Sequence, residues 1–327
     1  MKILFFGTAS ISKVYLEHLH KSGHDIFCVT MPDKPASRGQ KLTAPAVKTF
    51  ASENNIPFIQ PEKFTPETIE RIQNFGADAG IAVSYGRLIP RSVFLLPRYK
   101  TFNIHFSLLP KYRGAAPVQY ALLNGETETG VSAFYLEETL DTGAIIAQEK
   151  MPIDIKDTAE TLFDKLVPLG IGVMNAALSR FGSGELNAVP QQGEPSYAPA
   201  LKKEDGQIDW RKSAGDIYNR FRGFYPWPGV YSVISKGKSE GKRIKFIEME
   251  AVENNTVNDE PGKVFKIEKH KGFTVTCSAG KILVSKVQPE NKPVMSAWDF
   301  IQGGQISEGD CFCGHPRNSQ TGIRVSL

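Results

Sequence analysis

Asn103 and His105 lie two residues apart in FNIHFSLLPKYRGAAPVQ (102–119), and Asp141 follows in the stretch LDTG. On a strand, residues two apart project to the same face, so the amide and the imidazole point together. A carboxylate on a turn next to Gly143 can be pushed back over a sheet edge to join them. No Ser or Cys beside them reads as a nucleophile, so the set suits direct transfer of an acyl group to an amine. The Asn103 amide can donate to a carbonyl oxygen as it gains negative charge. His105 can donate to the same oxygen or to a leaving nitrogen. Asp141 can orient His105, favour its protonated form and accept a proton through water. Plainer readings exist for each residue. An Asn-x-His pair on a strand often serves packing, and an Asp in DTG can make a turn through its own backbone hydrogen bonds. Aspartic-protease chemistry needs two such carboxylates, and DTG occurs once here.

The elements that must position these groups alternate. KILFFG (2–7) is an apolar run ended by glycine, a buried strand. SISKVYLEHLHKSG has helical spacing and ends at Gly23; DIFCVTM (25–31) is the second strand. A helix over APAVKTFASENN, a short extended PFIQ and a helix over TPETIERIQNFG follow, the last opened by a capping Thr65. ADAGIAVSYG (77–86) and YKTFNIHFS (99–107) are the next strands. This spacing implies right-handed crossovers and a parallel sheet, whose strand ends are where ligands bind. GVSAFYLEETLDTGAIIAQEKMPI (130–153) reads as a hairpin-like pair at one edge, and a long helix closes the domain at Gly184. Residues 185–206 are polar and Pro-containing, a linker. Beyond them, short alternating strands with Gly and Asn turns imply a small barrel or sandwich.

Bulk properties narrow the class. At 327 residues the chain has room for two domains. No stretch has the shape of a signal peptide, and no run approaches the roughly 18 apolar residues of a membrane span, so a cytoplasmic protein without membrane contact is expected. Four cysteines in this length form no disulfide framework. CFCGH lacks the spacing and fourth ligand of a zinc site, so no metal is expected. The loop after the first strand, GTASIS, has one glycine where a dinucleotide turn needs more, so no nicotinamide cofactor is expected. Residues 1–185 carry balanced charge, so the net +4 lies in residues 186–327. That asymmetry fits an anionic partner and equally a solvated basic surface.

Five stretches resemble the folate-dependent formyltransferases: residues 102–146 from FNIHFSLLP to LDTGAII, PDKPASRGQKL (32–42), SYGRLIP (84–90), NRFRGFYPWPGVY (219–231) and KVQPENKPVMSAWDFIQG (286–303). The first covers the formyl-transfer centre common to the family; the last two look specific to its tRNA-directed branch. The resemblance implies an α/β, Rossmann-like, mostly parallel sheet with helices on both faces, then a small OB-like β-barrel. It implies a catalytic domain over 1–184, a linker over 185–206, a tRNA-binding domain over 207–318 and a tail over 319–327. It implies 10-formyltetrahydrofolate as co-substrate and methionyl-initiator tRNA as partner, with transfer to the free α-amino group of the methionine and a monomeric enzyme. Carried over residue by residue, Asn103, His105 and Asp141 are catalytic. Ser107, Leu108, Leu109 and Pro110 lie against the folate, and Ser84, Tyr85, Gly86, Arg87 and Leu88 line its pterin side. Arg38, with Lys34 and Lys41, contacts the tRNA acceptor end, and Lys242 and Arg243 add cations on the barrel.

The chain departs from the family pattern at GTASIS, where GTPEFA is usual, and at Ser84, where Ala is commoner. Neither departure touches the trio, but both bear on packing around the pterin or the methionine pocket. The tail CFCGHPRNSQTGIRVSL lies beyond the resemblance. Two other readings stay open: a formyltransferase acting on a nucleotide-sugar amine, and a non-catalytic nucleic-acid-binding protein with a decayed α/β domain.

Overall fold

A computed structural model describes residues 1–36, 41–183, 187–252 and 259–313. The first part runs β1 (Lys2–Gly7), α1 (Ser10–Lys21), β2 (Asp25–Val29), β3 (Lys34–Ala36), β4 (Lys41–Thr43), α2 (Ala46–Glu53), β5 (Phe58–Ile59), α3 (Pro66–Phe75), β6 (Ala79–Val83), α4 (Arg91–Phe94), β7 (Thr101–His105), α5 (Pro117–Leu123), β8 (Glu128–Tyr135), β9 (Ile145–Pro152) and α6 (Ala159–Ser183). The second runs α7 (Ala214–Phe224), β10 (Val230–Lys236), β11 (Arg243–Val252), β12 (Val264–Glu268), β13 (Gly272–Thr276), β14 (Lys281–Pro289), β15 (Met295–Ser296), α8 (Ala297–Gln302) and β16 (Cys311–Phe312).

The first sheet has the order β5-β2-β1-β6-β7-β8-β9. Pairing from β5 through β7 is parallel, and β8 and β9 run antiparallel at the edge. Ile3, Leu4, Phe5 and Phe6 are all fully buried, as a parallel strand covered on both faces requires. Leu4 and Phe6 share one cluster with Ile72 of α3 and Val93 of α4. The chain leaves β1 toward β2 on one side and reaches β6 on the other, so the direction of winding switches between β1 and β6. The carboxyl ends of the strands next to such a switch are where α/β sheets take ligands.

Local signals account for much of this. Thr65 caps α3 by accepting from Thr68 N at 3.4 Å, Pro66 opens it, and Gly76 closes it at φ +66°. The strand ending at Val83 is shorter than expected, because Ser84 turns to φ +44° and starts a loop. The stretch beginning at Pro32, expected to contact the tRNA, carries the antiparallel pair β3 and β4. At the base of that ribbon Asp33 binds Lys48 Nζ at 2.7 Å and Gln60 Nε2 at 2.7 Å. Among the described residues α6 is long and apolar enough to cross a membrane by length and composition, against the expectation of no such run. Its Leu162, Leu166, Val173, Met174, Ala177, Leu178 and Phe181 form a buried stripe, and the Phe181 ring stacks on Tyr99 at 5.1 Å.

Two compact units emerge. The first comprises residues 1–118, 127–153 and 162–199; the second comprises 119–126, 154–161 and 200–327. Residues 187–199, expected as linker, therefore belong to the first unit. In the second, the sheet order is β12-β13-β14-β11-β10-β16, with β15 beside β14. An isolated bridge between Lys263 and Cys311 brings its two edges together, so the sheet curls as an OB-like barrel does. Its core holds Trp210, Phe246, Phe273 and Phe312, and Trp210 Nε1 donates to Ser232 Oγ at 3.1 Å.

Candidate active site

The first unit carries a cavity of about 560 Å³ at the carboxyl ends of β6 and β7. Three groups of residues line it: Ser84 to Ile89 after β6, Asn103 to Phe106 at the end of β7, and Leu136 to Asp141 after β8, Glu138 apart. Gly114, Ala115, Pro117 and Ala82 complete the wall. The pattern, mostly apolar with a few convergent polar groups, is that of a small-molecule site.

Asn103 and His105 sit two apart on β7 and both reach the cavity, as the strand period demands. Among the described residues the Asn103 amide makes no hydrogen bond, so its donors remain free for a ligand. His105 is 5 % exposed. Its Nε2 lies 2.9 Å from the Tyr112 carbonyl. A carbonyl only accepts, so Nε2 carries the hydrogen. In the neutral ring Nδ1 is then the lone-pair nitrogen, and it lies 3.8 Å from Asp141 Oδ2. Burial pulls His105 below the ordinary histidine range; Asp141 and the Tyr112 carbonyl pull the other way. The expected support of Asp141 for the imidazolium is thus present but outweighed, and the resting ring is the neutral base.

Asp141 is 8 % exposed and its backbone sits at φ +56°. Tyr112 and Ser84 also stand at positive φ, +61° and +44°. For residues other than glycine this conformation stores about 1–3 kcal/mol each and gathers at functional sites. The Asp141 carboxylate accepts from Gly114 N at 2.8 Å. Gly114 itself has φ +124°, and a Cβ there would meet the Ala198 carbonyl. Gln191 Nε2 donates to the carbonyls of Asp141 and Gly143 at 2.8 and 2.9 Å. Gln191 Oε1 accepts from Arg113 Nη2 at 2.7 Å and Nε at 3.2 Å.

The structure does not bring every anticipated residue to the cavity. Ser107, Leu108, Leu109 and Pro110 lie outside its wall. Ser107 is fully buried and donates to the Lys111 carbonyl at 2.6 Å, while Ser132 Oγ joins the Ser107 carbonyl and Leu109 N. Ser84, Tyr85, Gly86, Arg87 and Leu88 do line it. Arg87 spends Nη1 on the Pro61 and Glu62 carbonyls, which fastens the loop. The Tyr85 hydroxyl is buried with no partner among the described residues, and the Tyr85 carbonyl accepts from Thr8 Oγ1 at 2.7 Å. The unusual GTASIS loop therefore packs directly onto the lining loop. Leu88 and Leu140 stand 75 % and 56 % exposed on the wall, an apolar pair open to a ligand.

Arg38 lies outside the described residues, as does the Lys41 side chain; Lys34 is exposed on β3. In the second unit Lys242 Nζ donates to Gln305 Oε1 at 3.0 Å, and the Arg243 guanidinium lies 4.9 Å over the Tyr231 ring. Among the described residues no cluster of His, Cys, Asp and Glu is placed to hold a metal, and His315 of CFCGH lies outside them. Sequence reasoning missed Tyr112, Leu136, Leu140 and Gln191. The quoted YRGAAP held a signal for the first; Gln191 carried none, being read as linker.

Residues 1–178 match the formyl transferase family model, and residues 200–305 match its C-terminal domain model. A methionyl-tRNA formyltransferase of Endomicrobium trichonymphae is 64 % identical over 312 residues, covering 95 % of this chain and 100 % of that one. One from Thermodesulfovibrio yellowstonii is 40 % identical over 309 residues, covering 94 % and 97 %. Among solved structures, an N-formyltransferase of Helicobacter canadensis in complex with folinic acid and dTDP-3-aminofucose has a TM-score of 0.66 at 22 % identity, over 88 % of this chain and 99 % of that one. HypX of Aquifex aeolicus in complex with tetrahydrofolic acid gives 0.62 at 18 % identity, over 92 % of this chain. This chain spans about half of HypX, 47 %. At these identities the solved structures share the fold alone.

Proposed function

We infer the reaction from a plain premise: the chain belongs to the formyl transferase family and, within it, to the methionyl-tRNA formyltransferases. It transfers the formyl group of 10-formyltetrahydrofolate to the free α-amino group of methionyl-initiator tRNA, for translation initiation. The observation that carries this reading is the meeting of Asn103, His105 and Asp141 on one cavity in a chain that aligns end to end with such enzymes. The substrates set the working compartment as the cytoplasm, and we take the enzyme to act as a monomer without a membrane partner.

The cavity, about 560 Å³, has the size and character of a small-molecule site. Apolar walls from Leu88, Ile104, Leu136 and Leu140 suit flat rings, and the free Asn103 amide suits a polar edge. Ser84 to Leu88 hold the pterin side, while Ser107 to Pro110 serve at one remove by bracing the end of β7.

The chemistry moves one proton. The amine nitrogen bonds to the formyl carbon, the carbon–N10 bond of the folate breaks, and a proton passes from the amine to N10. An aminoacyl ester lowers the amine's pKa below the ~7.7–8.0 of an ordinary α-amino group, so the attacking amine is neutral. The Asn103 amide donates to the formyl oxygen as it becomes an oxyanion. His105 Nδ1 takes the proton and returns it to N10, and Asp141 stabilises the transient imidazolium. Phosphate contacts come from Lys34, Arg38 and Lys41 and from Lys242 and Arg243.

The reading is tested by formyl transfer from 10-formyltetrahydrofolate to charged initiator Met-tRNA, charged elongator Met-tRNA and a 4-amino nucleotide sugar in parallel. Product on the initiator is expected. Product on the sugar alone would keep the trio and overturn the tRNA partner.

A further inference from the structure

We infer that Gln191 is a positioning residue for the transfer, holding the Asp141 loop at the angle the imidazole needs; this rests on the reaction proposed above.

Residues 187–199 are polar, with prolines and glycine, and still fasten to the first unit at both ends. Val189 exchanges two backbone hydrogen bonds with Ile145, each 2.8 Å. Further on, Arg113 N donates to the Ser196 carbonyl at 2.8 Å and Ala198 N to the Arg113 carbonyl at 2.7 Å. Ile145 follows the Asp141 turn, and Arg113 precedes the glycine whose N–H holds the Asp141 carboxylate. The segment is therefore tied to both stretches of chain that place the carboxylate.

Gln191 sits between these ties and joins the same two stretches by its side chain. Its amide orientation follows from its partners. A guanidinium only donates, so the face toward Arg113 is the oxygen; the carbonyls of Asp141 and Gly143 only accept, so the face toward them is the nitrogen. All four hydrogen-bonding capacities of the amide are used. Asp141 is held at φ +56°, a conformation that relaxes unless its surroundings over-determine it. Two donors on the carbonyls at 141 and 143 supply that restraint from outside the loop. The distance at stake is the 3.8 Å between His105 Nδ1 and Asp141 Oδ2, and a shift of about 1 Å in such a geometry can lower a rate ~10²-fold. Gln191 does not line the cavity, so it acts through Asp141 and not on either substrate.

The test is a double-variant cycle on the full-length protein, read as kcat and KM for both substrates with thermal unfolding alongside. Gln191→Ala is expected to lower kcat about 10- to 100-fold while both KM values stay within about twofold. In an Asp141→Asn background, the same change is expected to add nothing, because the group it positions is gone. Gln191→Glu keeps an acceptor for Arg113 and removes the donors to the carbonyls; it should follow Gln191→Ala in kcat and carries the cycle if the alanine variant fails to fold. Additive losses in the double variant, or a loss confined to KM or to Tm, would overturn the positioning role while leaving the reaction standing. Absence of formyl transfer by the unaltered protein would overturn the reaction, and this role with it.

Discussion

The Asn103 amide has no protein partner among the described residues, so the oxyanion role proposed for it would use donors left free. Such a preorganised donor is worth ~2.7–4 kcal/mol at an oxyanion. Asn103→Ala should therefore lower kcat about 10²- to 10³-fold with KM for folate and tRNA little changed. Steady-state kinetics decide it, and a near-normal kcat would remove Asn103 from the mechanism. His105 makes a signed prediction. Its burial depresses its pKa, so the active neutral base persists below pH 6.5 and kcat falls only on a limb beneath that value. The Asp141 charge opposes the depression, so Asp141→Asn should move the acidic limb to still lower pH. It should also cut kcat severely, since the transient imidazolium loses its counter-charge, while folate binding survives. A limb that moves upward would contradict the pairing of these residues.

Elements matter here through the loops they release. The strand–helix alternation, the parallel sheet and its antiparallel edge were all legible, because buried apolar runs and glycine stops report directly on local structure. Asn103 and His105 were legible as a pair because strand period alone puts them on one face. Asp141 was legible as a turn residue, but its φ of +56° was not, since nothing in LDTG marks which residue takes the strain. Ser107 to Pro110 illustrate the opposite difficulty: adjacency to β7 does not say whether a side chain lies on the cavity wall or outside it. Gln191 was illegible because a polar, proline-bearing stretch looks like a linker whether or not it is stitched down. The same stitching yields a prediction. Gly114→Ala adds a Cβ against the Ala198 carbonyl at φ +124°, so it should destabilise the protein by about 1–3 kcal/mol and reduce kcat at least tenfold. Gly172→Ala on α6 meets open space and should be neutral or stabilising by up to about 1 kcal/mol. Thermal unfolding and initial rates of the two variants, measured together, check the contrast.

For the whole molecule, the uneven charge is the feature that bears on the larger substrate. The net +4 lies beyond residue 185, and Lys242 and Arg243 stand at the start of β11 within that region. If they meet phosphates, replacing both by Ala should flatten the log–log salt dependence of tRNA affinity by up to about 2, one for each lost contact. Turnover at saturating tRNA should persist, and an unchanged slope would place the phosphate contacts elsewhere. The division of the chain has another consequence. Residues 119–126 and 154–161 belong to the second unit although they fall between segments of the first. The two halves are therefore not separable cassettes. Recombination that exchanged everything after residue 199 for a homologous C-terminal half would leave two short inherited pieces to match a foreign core. A graft of the whole second unit must carry three stretches at once or repair the seam by later substitution.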